Sequence, residues 1–103
     1  MKVYICGSRH HERELYNTEA LLRQQGHIPV NPIKVLYALP KEINNSDFTV
    51  ITFELIRICD ALYLIDGWEK DLFASMELAY AKGMGKKIII EKTIDNADII
   101  FDT

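Results

Sequence analysis

The chain has little of what staples, anchors or charges a protein. It holds only two cysteines, Cys6 and Cys59. Their separation has no zinc-ligand spacing, and both read as buried thiols rather than as a disulfide or a metal pair. No metal and no cofactor is expected. There is no basic run: 12 Lys and Arg stand against 15 Asp and Glu, for a formal net charge of −3. That balance removes the electrostatic footprint of a general nucleic-acid binder. No apolar run approaches the roughly 20 residues that span a bilayer. Lys2-Val-Tyr-Ile-Cys6 is too short for the apolar region of a signal peptide. No membrane partner is therefore expected, and the expected location is cytoplasmic. Internal repeats and low-complexity tracts are also missing.

What is present is ordinary for a globular domain. Of 103 residues, 49% are hydrophobic and 26% charged. A chain of this length forms one domain, 1–103, and buries roughly 60–70% of the surface its unfolded form exposes.

Residues 2–6 read as a first strand, and Gly7 to His11 as the loop at its carboxyl end. Residues 12–25 read as a helix, with Leu15 and Leu22 on one face, a Glu19–Arg23 pair at i, i+4, and Gly26 as its stop. A short strand at 27–30 contains Pro29, which places it at a sheet edge. Asn31-Pro32 reads as its end, and 33–46 as a long loop with one helical turn near 35–39. Residues 47–59 read as a helix capped by Ser46. Phe48, Ile51, Leu55 and Ile58 fall on one side, and Val50, Phe53 and Ile56 on a second. Two apolar sides call for two partners, the sheet and another subunit. Further strands are expected at 61–65, 87–90 and 97–101.

Strand–helix alternation of this kind makes an α/β fold. The expected architecture is a single Rossmann-like, flavodoxin-like parallel sheet of 4–5 strands in the order 2-1-3-4-5, with helices on both faces. Its switch point lies between the first and third strands, where ligands bind at the carboxyl ends. The loops Gly7 to His11 and Asp66 to Asp71 meet there.

The stretch after the third strand carries an oddly placed acid. Asp71 reads as the N-cap of a helix to Lys82, stopped by Gly83. At about 100° per residue, Leu72, Met76, Ala79 and Gly83 share one face, and Asp71, Ser75 and Lys82 the opposite one. Glu77 belongs to neither. Its neighbours at three and four residues, Phe73, Ala74, Tyr80 and Ala81, include no cation. Such a carboxylate either sits on a bland solvated flank or is held in a pocket for chemistry. In the first loop, Gly7 permits close backbone approach, Ser8 is a donor to a phosphate oxygen, and Arg9 pairs with one bidentately. An ordinary strand-to-helix turn with a solvated arginine is the other reading.

Val3-Tyr-Ile-Cys-Gly-Ser8, then Arg13-Glu-Leu-Tyr16, Leu21-Leu-Arg23 and Gly26, resemble the opening of the nucleoside 2-deoxyribosyltransferase superfamily. The likeness is strongest to its 2'-deoxynucleoside 5'-phosphate N-hydrolase branch. Cys59-Asp-Ala61, Asp66-Gly67-Trp68-Glu69 and the helix with Glu77 continue the resemblance. It implies cleavage of an N-glycosidic bond, with Glu77 as the nucleophile that attacks C1' of the deoxyribose. The resulting ester is resolved by water in a hydrolase or by a second base in a transferase. It further implies that Tyr4 lies beside the sugar, and that Gly7, Ser8 and Arg9 hold a 5'-hydroxyl or 5'-phosphate. Asp66 or Trp68 addresses the base. His10 and His11 stand where relatives often carry small residues; by its own chemistry a histidine there supplies a proton or binds phosphate, and the other reading is a solvated loop histidine. Relatives often complete the site with a neighbouring subunit, so a homodimer or higher homo-oligomer is expected.

Three positions depart from the family pattern. Phe73 stands where the family has a glycine that leaves room for the sugar. Asp71 replaces a serine of the nucleotide-cleaving branch, and an acid there accepts from a sugar hydroxyl rather than binding phosphate. Thr52 replaces a supporting aspartate. These departures motivate the alternatives: a non-catalytic nucleotide-binding protein, or an interaction protein of the small phage-encoded kind, on the same scaffold.

Overall fold

The computed structural model describes residues 1–92 and the backbone of 98–102. Five strands form one sheet: β1 (Lys2–Cys6), β2 (Ile28–Val30), β3 (Ala61–Leu64), β4 (Lys87–Lys92) and β5 (Asp98–Asp102). Their order is β2-β1-β3-β4-β5. The first four are parallel, in a register that sets Tyr4 opposite both Val30 and Leu62. Pro29 lies on the edge strand, as its missing N–H requires. β5 pairs antiparallel with β4. Five residues separate these two strands, too few for the crossover that a parallel neighbour needs.

Helices cover both faces, which is why β3 and all of β1 after Lys2 are apolar rather than alternating. α1 (Glu12–Gln24) and α2 (Pro32–Ala38) lie on one face. There Leu15, Leu22 and Ile33 pack against Val3, Ile5, Ala61, Tyr63, Ile65 and Ile89. α3 (Asn45–Ile58) and α4 (Leu72–Gly83) lie on the other. There Ile56, Ala74 and Ala81 pack on Tyr4, Cys6, Leu62, Leu64 and Ile88.

Three local expectations are corrected. The stretch after β2 is a helix rather than a loop. Asn31 is its N-cap, accepting from the Ile33 amide at 3.1 Å, and Pro32 opens its first turn. Asn-Pro is a start signal here, because proline's missing N–H costs nothing in the first turn. A polar lock fixes α2 to α1. The Glu19 carboxylate, buried, accepts from Lys34 Nζ at 2.6 Å, from Asn31 Nδ2 at 3.2 Å and from Arg23 at 3.5 Å. The expected i, i+4 pair is thus the longest of the three.

α3 starts earlier than expected. Asn44, not Ser46, accepts from the Asp47 amide at 2.8 Å. Its buried stripe is Phe48, Thr52 and Ile56, whereas Ile58 and Val50 are exposed.

α4 buries neither of its two expected faces but the flank that carries Glu77. Ala74, Glu77 and Ala81 are buried, while Leu72, Met76, Ala79 and Gly83 are exposed. The helix also runs through Gly83. The turn comes at Gly85, whose φ of 73° is the left-handed conformation that glycine adopts freely.

Candidate active site

β1 alternates its side chains between the two faces, so Tyr4 and Cys6 both point toward α3 and α4. α4 crosses that face with alanines one turn either side of Glu77, namely Ala74 and Ala81. Small side chains there let the helix come close, and the carboxylate reaches the strand. Tyr4 Oη donates to Glu77 Oε2 at 3.0 Å. Cys6 Sγ donates to Glu77 Oε1 at 3.4 Å and lies 3.5 Å from the Ala74 carbonyl oxygen. Thr52 of α3 adds a hydroxyl contact, and that hydroxyl also reaches the Thr49 carbonyl at 3.0 Å. Glu77 is 6% exposed.

Burial pushes the Glu77 carboxyl above its usual range. Hydrogen bonds from Tyr4, Cys6 and Thr52, with the Arg9 charge, hold the rise in check. The same carboxylate acts on its donors. Burial first, and then the Glu77 charge, raise both the Tyr4 phenol and the Cys6 thiol well above their ordinary values. Both therefore remain protonated donors around neutrality.

Arg9 forms the roof. Its guanidinium lies over the Phe48 ring at 4.2 Å and over the Phe73 ring at 4.8 Å. Cation–π contacts of this kind contribute roughly 0.5–2 kcal/mol each. The loop that carries Arg9 is shaped by its neighbours. A Cβ at Gly7 would meet Ile65 Cβ at 3.1 Å and Cδ1 at 3.2 Å, so any larger residue would push Ile65 aside by a few tenths of an ångström where β1 passes the end of β3. Ser8 accepts from the His10 amide at 3.2 Å through its hydroxyl, and from the His11 amide at 3.0 Å through its carbonyl. Asp71 caps α4, its Oδ1 accepting from the amides of Phe73 at 2.8 Å and Ala74 at 3.2 Å.

Phe73 borders three cavities. One of about 240 Å³ is lined by Arg9, His10, Asn45 and Asp71, and one of about 300 Å³ includes Ser8, His10, His11 and Lys70. A third, of about 370 Å³, lies toward Asn45, Ser46, Thr49 and Met76. Glu77 is not among the lining residues of any of the three. Phe73, one turn before it on α4, lines all three.

Tyr4, Arg9, Phe73 and Glu77 thus come together, with Gly7, Ser8, His10 and Asp71 at the mouth. Asp66 and Trp68 are not among the lining residues of these cavities, although Gly67 between them lines the second. The exposed Asp66 donates its amide to Glu91 Oε2 at 3.0 Å, and Glu91 Oε1 accepts from Tyr63 Oη at 3.1 Å. Trp68 packs against the core beneath α3 and α4. Two participants escaped the sequence reading. Cys6 reads from sequence only as a buried thiol, although the period of two that orients Tyr4 also aims Cys6 at the same face. Phe48 was read as core alone, and no sequence signal ties it to Arg9. Among the described residues, no group of three or more His, Cys, Asp or Glu is arranged to hold a metal. Nor is any described helix long and apolar enough to cross a membrane.

The open α/β sheet in this order, with an acid buried near the carboxyl ends of β1 and β3, is a fold shared with solved structures of an N-glycosidase and of 2-deoxyribosyltransferases. Similar solved structures include the CMP N-glycosidase of Clostridium botulinum (20% identity, TM-score 0.65, 87% of this chain and 67% of that one). The 2-deoxyribosyltransferase of Bacillus psychrosaccharolyticus matches at 18% identity and a TM-score of 0.72, over 87% and 71% of the two chains. The 2-deoxyribosyltransferase of Leishmania mexicana matches at 24% and 0.67, over 90% and 65%. At these identities the likeness is one of fold. The chain belongs to the family described as "Domain of unknown function (DUF4406)", whose family model matches residues 1–90. No curated protein matches it.

Proposed function

We propose that this protein cleaves or transfers at the N-glycosidic bond of a nucleoside or nucleotide, with Glu77 as nucleophile. The observation that carries the reading is the buried Glu77 carboxylate, bonded by Tyr4 and Cys6 at the switch-point edge of the sheet. Such a group is positioned on rigid elements and stripped of water, two conditions that favour a carboxylate nucleophile. In the proposed reaction a Glu77 oxygen forms a bond to C1' as the C1'–N bond breaks. The electron pair leaves with the base, which takes a proton. His10, bordering two of the cavities, is the proposed proton source. Water or a second base then attacks C1' and gives its proton to His10, the ester bond breaks, and Glu77 and His10 are both restored.

Ser8 and Arg9 are the proposed partners of the 5'-hydroxyl or 5'-phosphate, with Gly7 giving room and Tyr4 beside the sugar. Asp71 is proposed to accept from a sugar hydroxyl through the carboxylate oxygen that the helix cap leaves over. The loop bearing Asp66 and Trp68 is proposed to face the base. Phe73 must turn away for a sugar to reach Glu77. Incubation with deoxynucleosides and their 5'-monophosphates is expected to release free base or exchange it. A 2-fluoro sugar analogue is expected to leave a covalent mass on Glu77. Absence of both, or a Glu77→Ala variant as active as wild type, refutes the reading.

A second reading is a non-catalytic nucleotide-binding protein. The observation that favours it is that Phe73 lines the three cavities while Glu77 lines none of them. Thermal stabilisation by a nucleotide without release or exchange of base distinguishes the two.

We also propose a homodimer or higher homo-oligomer. Leu72 is 72% and Val50 65% exposed on the outer sides of α4 and α3, and such apolar exposure favours a partner surface. Sedimentation of the purified chain tests this.

A further inference from the structure

Cys6 stands between two acceptors with one proton to give. Its Sγ is 3.4 Å from Glu77 Oε1 and 3.5 Å from the Ala74 carbonyl oxygen. The thiol is fully buried, so water offers no third partner. Ala74 and Glu77 share one turn of α4, and both acceptors are held against the same strand position. A thiol carries a single hydrogen, so it satisfies one acceptor at a time.

We propose that Cys6 is a positioning residue for Glu77, whose thiol hydrogen is given to the carboxylate when that group is charged and to the Ala74 carbonyl when the charge is discharged. The inference rests on the reading of Glu77 as nucleophile and deepens it. A nucleophilic carboxylate changes its charge twice in each cycle, once on forming the ester and once on releasing it. Tyr4 fixes Oε2 throughout. Cys6 supplies an adjustable donor to Oε1. It orients the free carboxylate and withdraws without leaving an unsatisfied group when the oxygen becomes a poor acceptor. In the second half-reaction its return to Oε1 favours the carboxylate as leaving group. No proton is transferred from sulfur at any stage. The thiol suits this role because it is a weak donor, whereas a charged donor would hold one state too firmly.

The groups facing the carboxylate are few. Tyr4 and Cys6 come from β1, Arg9 from the loop after it, and Thr52 from α3, while Asp71 at the head of α4 acts on Cys6 through its charge. A change at Cys6 therefore reads directly on Glu77.

The test is the titration of the Glu77 side-chain carboxyl by carbon NMR in uniformly labelled protein, assigned by its loss in Glu77→Gln. Wild type is compared with Cys6→Ala and Cys6→Ser. Cys6→Ala removes the donor, and Glu77 becomes a roughly threefold or more weaker acid. Cys6→Ser supplies a stronger donor, and the midpoint falls below that of wild type. If Cys6→Ala does not fold, the Cys6→Ser comparison alone decides, since a hydroxyl donates more strongly than a thiol. Unchanged midpoints in the variants that fold overturn the proposal. This readout needs no turnover. If base release is absent but the midpoint moves, the nucleophile reading fails while the Cys6–Glu77 coupling stands. Where turnover is present, the acid limb of the kcat profile moves in step with the midpoint, and Cys6→Ser rescues what Cys6→Ala loses.

Discussion

Tyr4 and Glu77 lie 73 residues apart and share a buried hydrogen bond of 3.0 Å. Each raises the other's cost of misplacement. The phenol is fully buried and relies on the carboxylate as its acceptor, and the carboxylate relies on the phenol to offset its lost hydration. The bond joins the first strand to the last described helix, so the candidate site and the fold share a joint.

That joint gives a pH signature. The folded carboxyl of Glu77 is raised above its unfolded value of about 4.3. Between the two values the folded chain holds more protons than the unfolded one, so the Glu77 contribution to stability falls as pH rises through that window and is flat above it. Glu77→Gln removes this contribution. Urea unfolding from pH 4 to 8 is expected to show the variant gaining on wild type as pH rises. A constant difference across the range contradicts the prediction.

Glu19 behaves in the opposite sense. Burial works to raise its carboxyl, but the bonds from Lys34, Asn31 and Arg23 outweigh it and hold the group below its ordinary range. The stability it contributes is full above the unfolded carboxylate value and is lost as pH falls through the depressed folded one. Glu19→Gln is expected to destabilise by about 1 kcal/mol near neutrality, the half-exposed Lys34 limiting the effect. The difference narrows toward about pH 3, and chemical denaturation at both pH values checks it.

Phe73 is the lever on access. Phe73→Gly opens the space beside Glu77 and frees Arg9 from one of its two rings. Base release is expected to rise several-fold in kcat/KM, at a stability cost of about 1 kcal/mol for glycine in the first turn of a helix. A fall in kcat/KM with the fold intact would instead mark Phe73 as a substrate contact.

Thiol chemistry reports on the same core. Cys6 and Cys59 are both buried and free, and burial raises both thiols. Neither is expected to react with a disulfide reagent within minutes in the native state, and both should react in denaturant. Rapid native modification of Cys6 would show that the strand–helix joint opens readily.

Strand order was legible because short buried runs alternating with helices admit few connections, and right-handed crossovers reduce them further. The edge position of β2 followed from Pro29 alone. The α2 segment was not legible as a helix. Asn31-Pro32 ends a strand and begins a helix with the same two residues, and only the Glu19 lock with Asn31 and Lys34 shows which role dominates. The buried face of α4 was also hidden. Apolar residues occupy most of its circumference, so periodicity does not single out the core face. Close packing on the sheet favours alanine over leucine, so the smaller side chains face inward and carry Glu77 with them.

By itself the sequence determined the alternation of strands and helices, the two loops at one sheet edge, and a carboxylate with no cation along its own helix. Each of these is set by contacts within a few residues, or by the short menu of parallel topologies. Only the tertiary structure decided that Glu77 is buried and that Tyr4, Cys6 and Thr52 meet it. The same holds for Arg9, clasped between Phe48 and Phe73. Hydrogen bonds act over about 3 Å, and those separations depend on how α3 and α4 settle on the sheet. That is a property of the whole packed core, and no single stretch of the chain contains it.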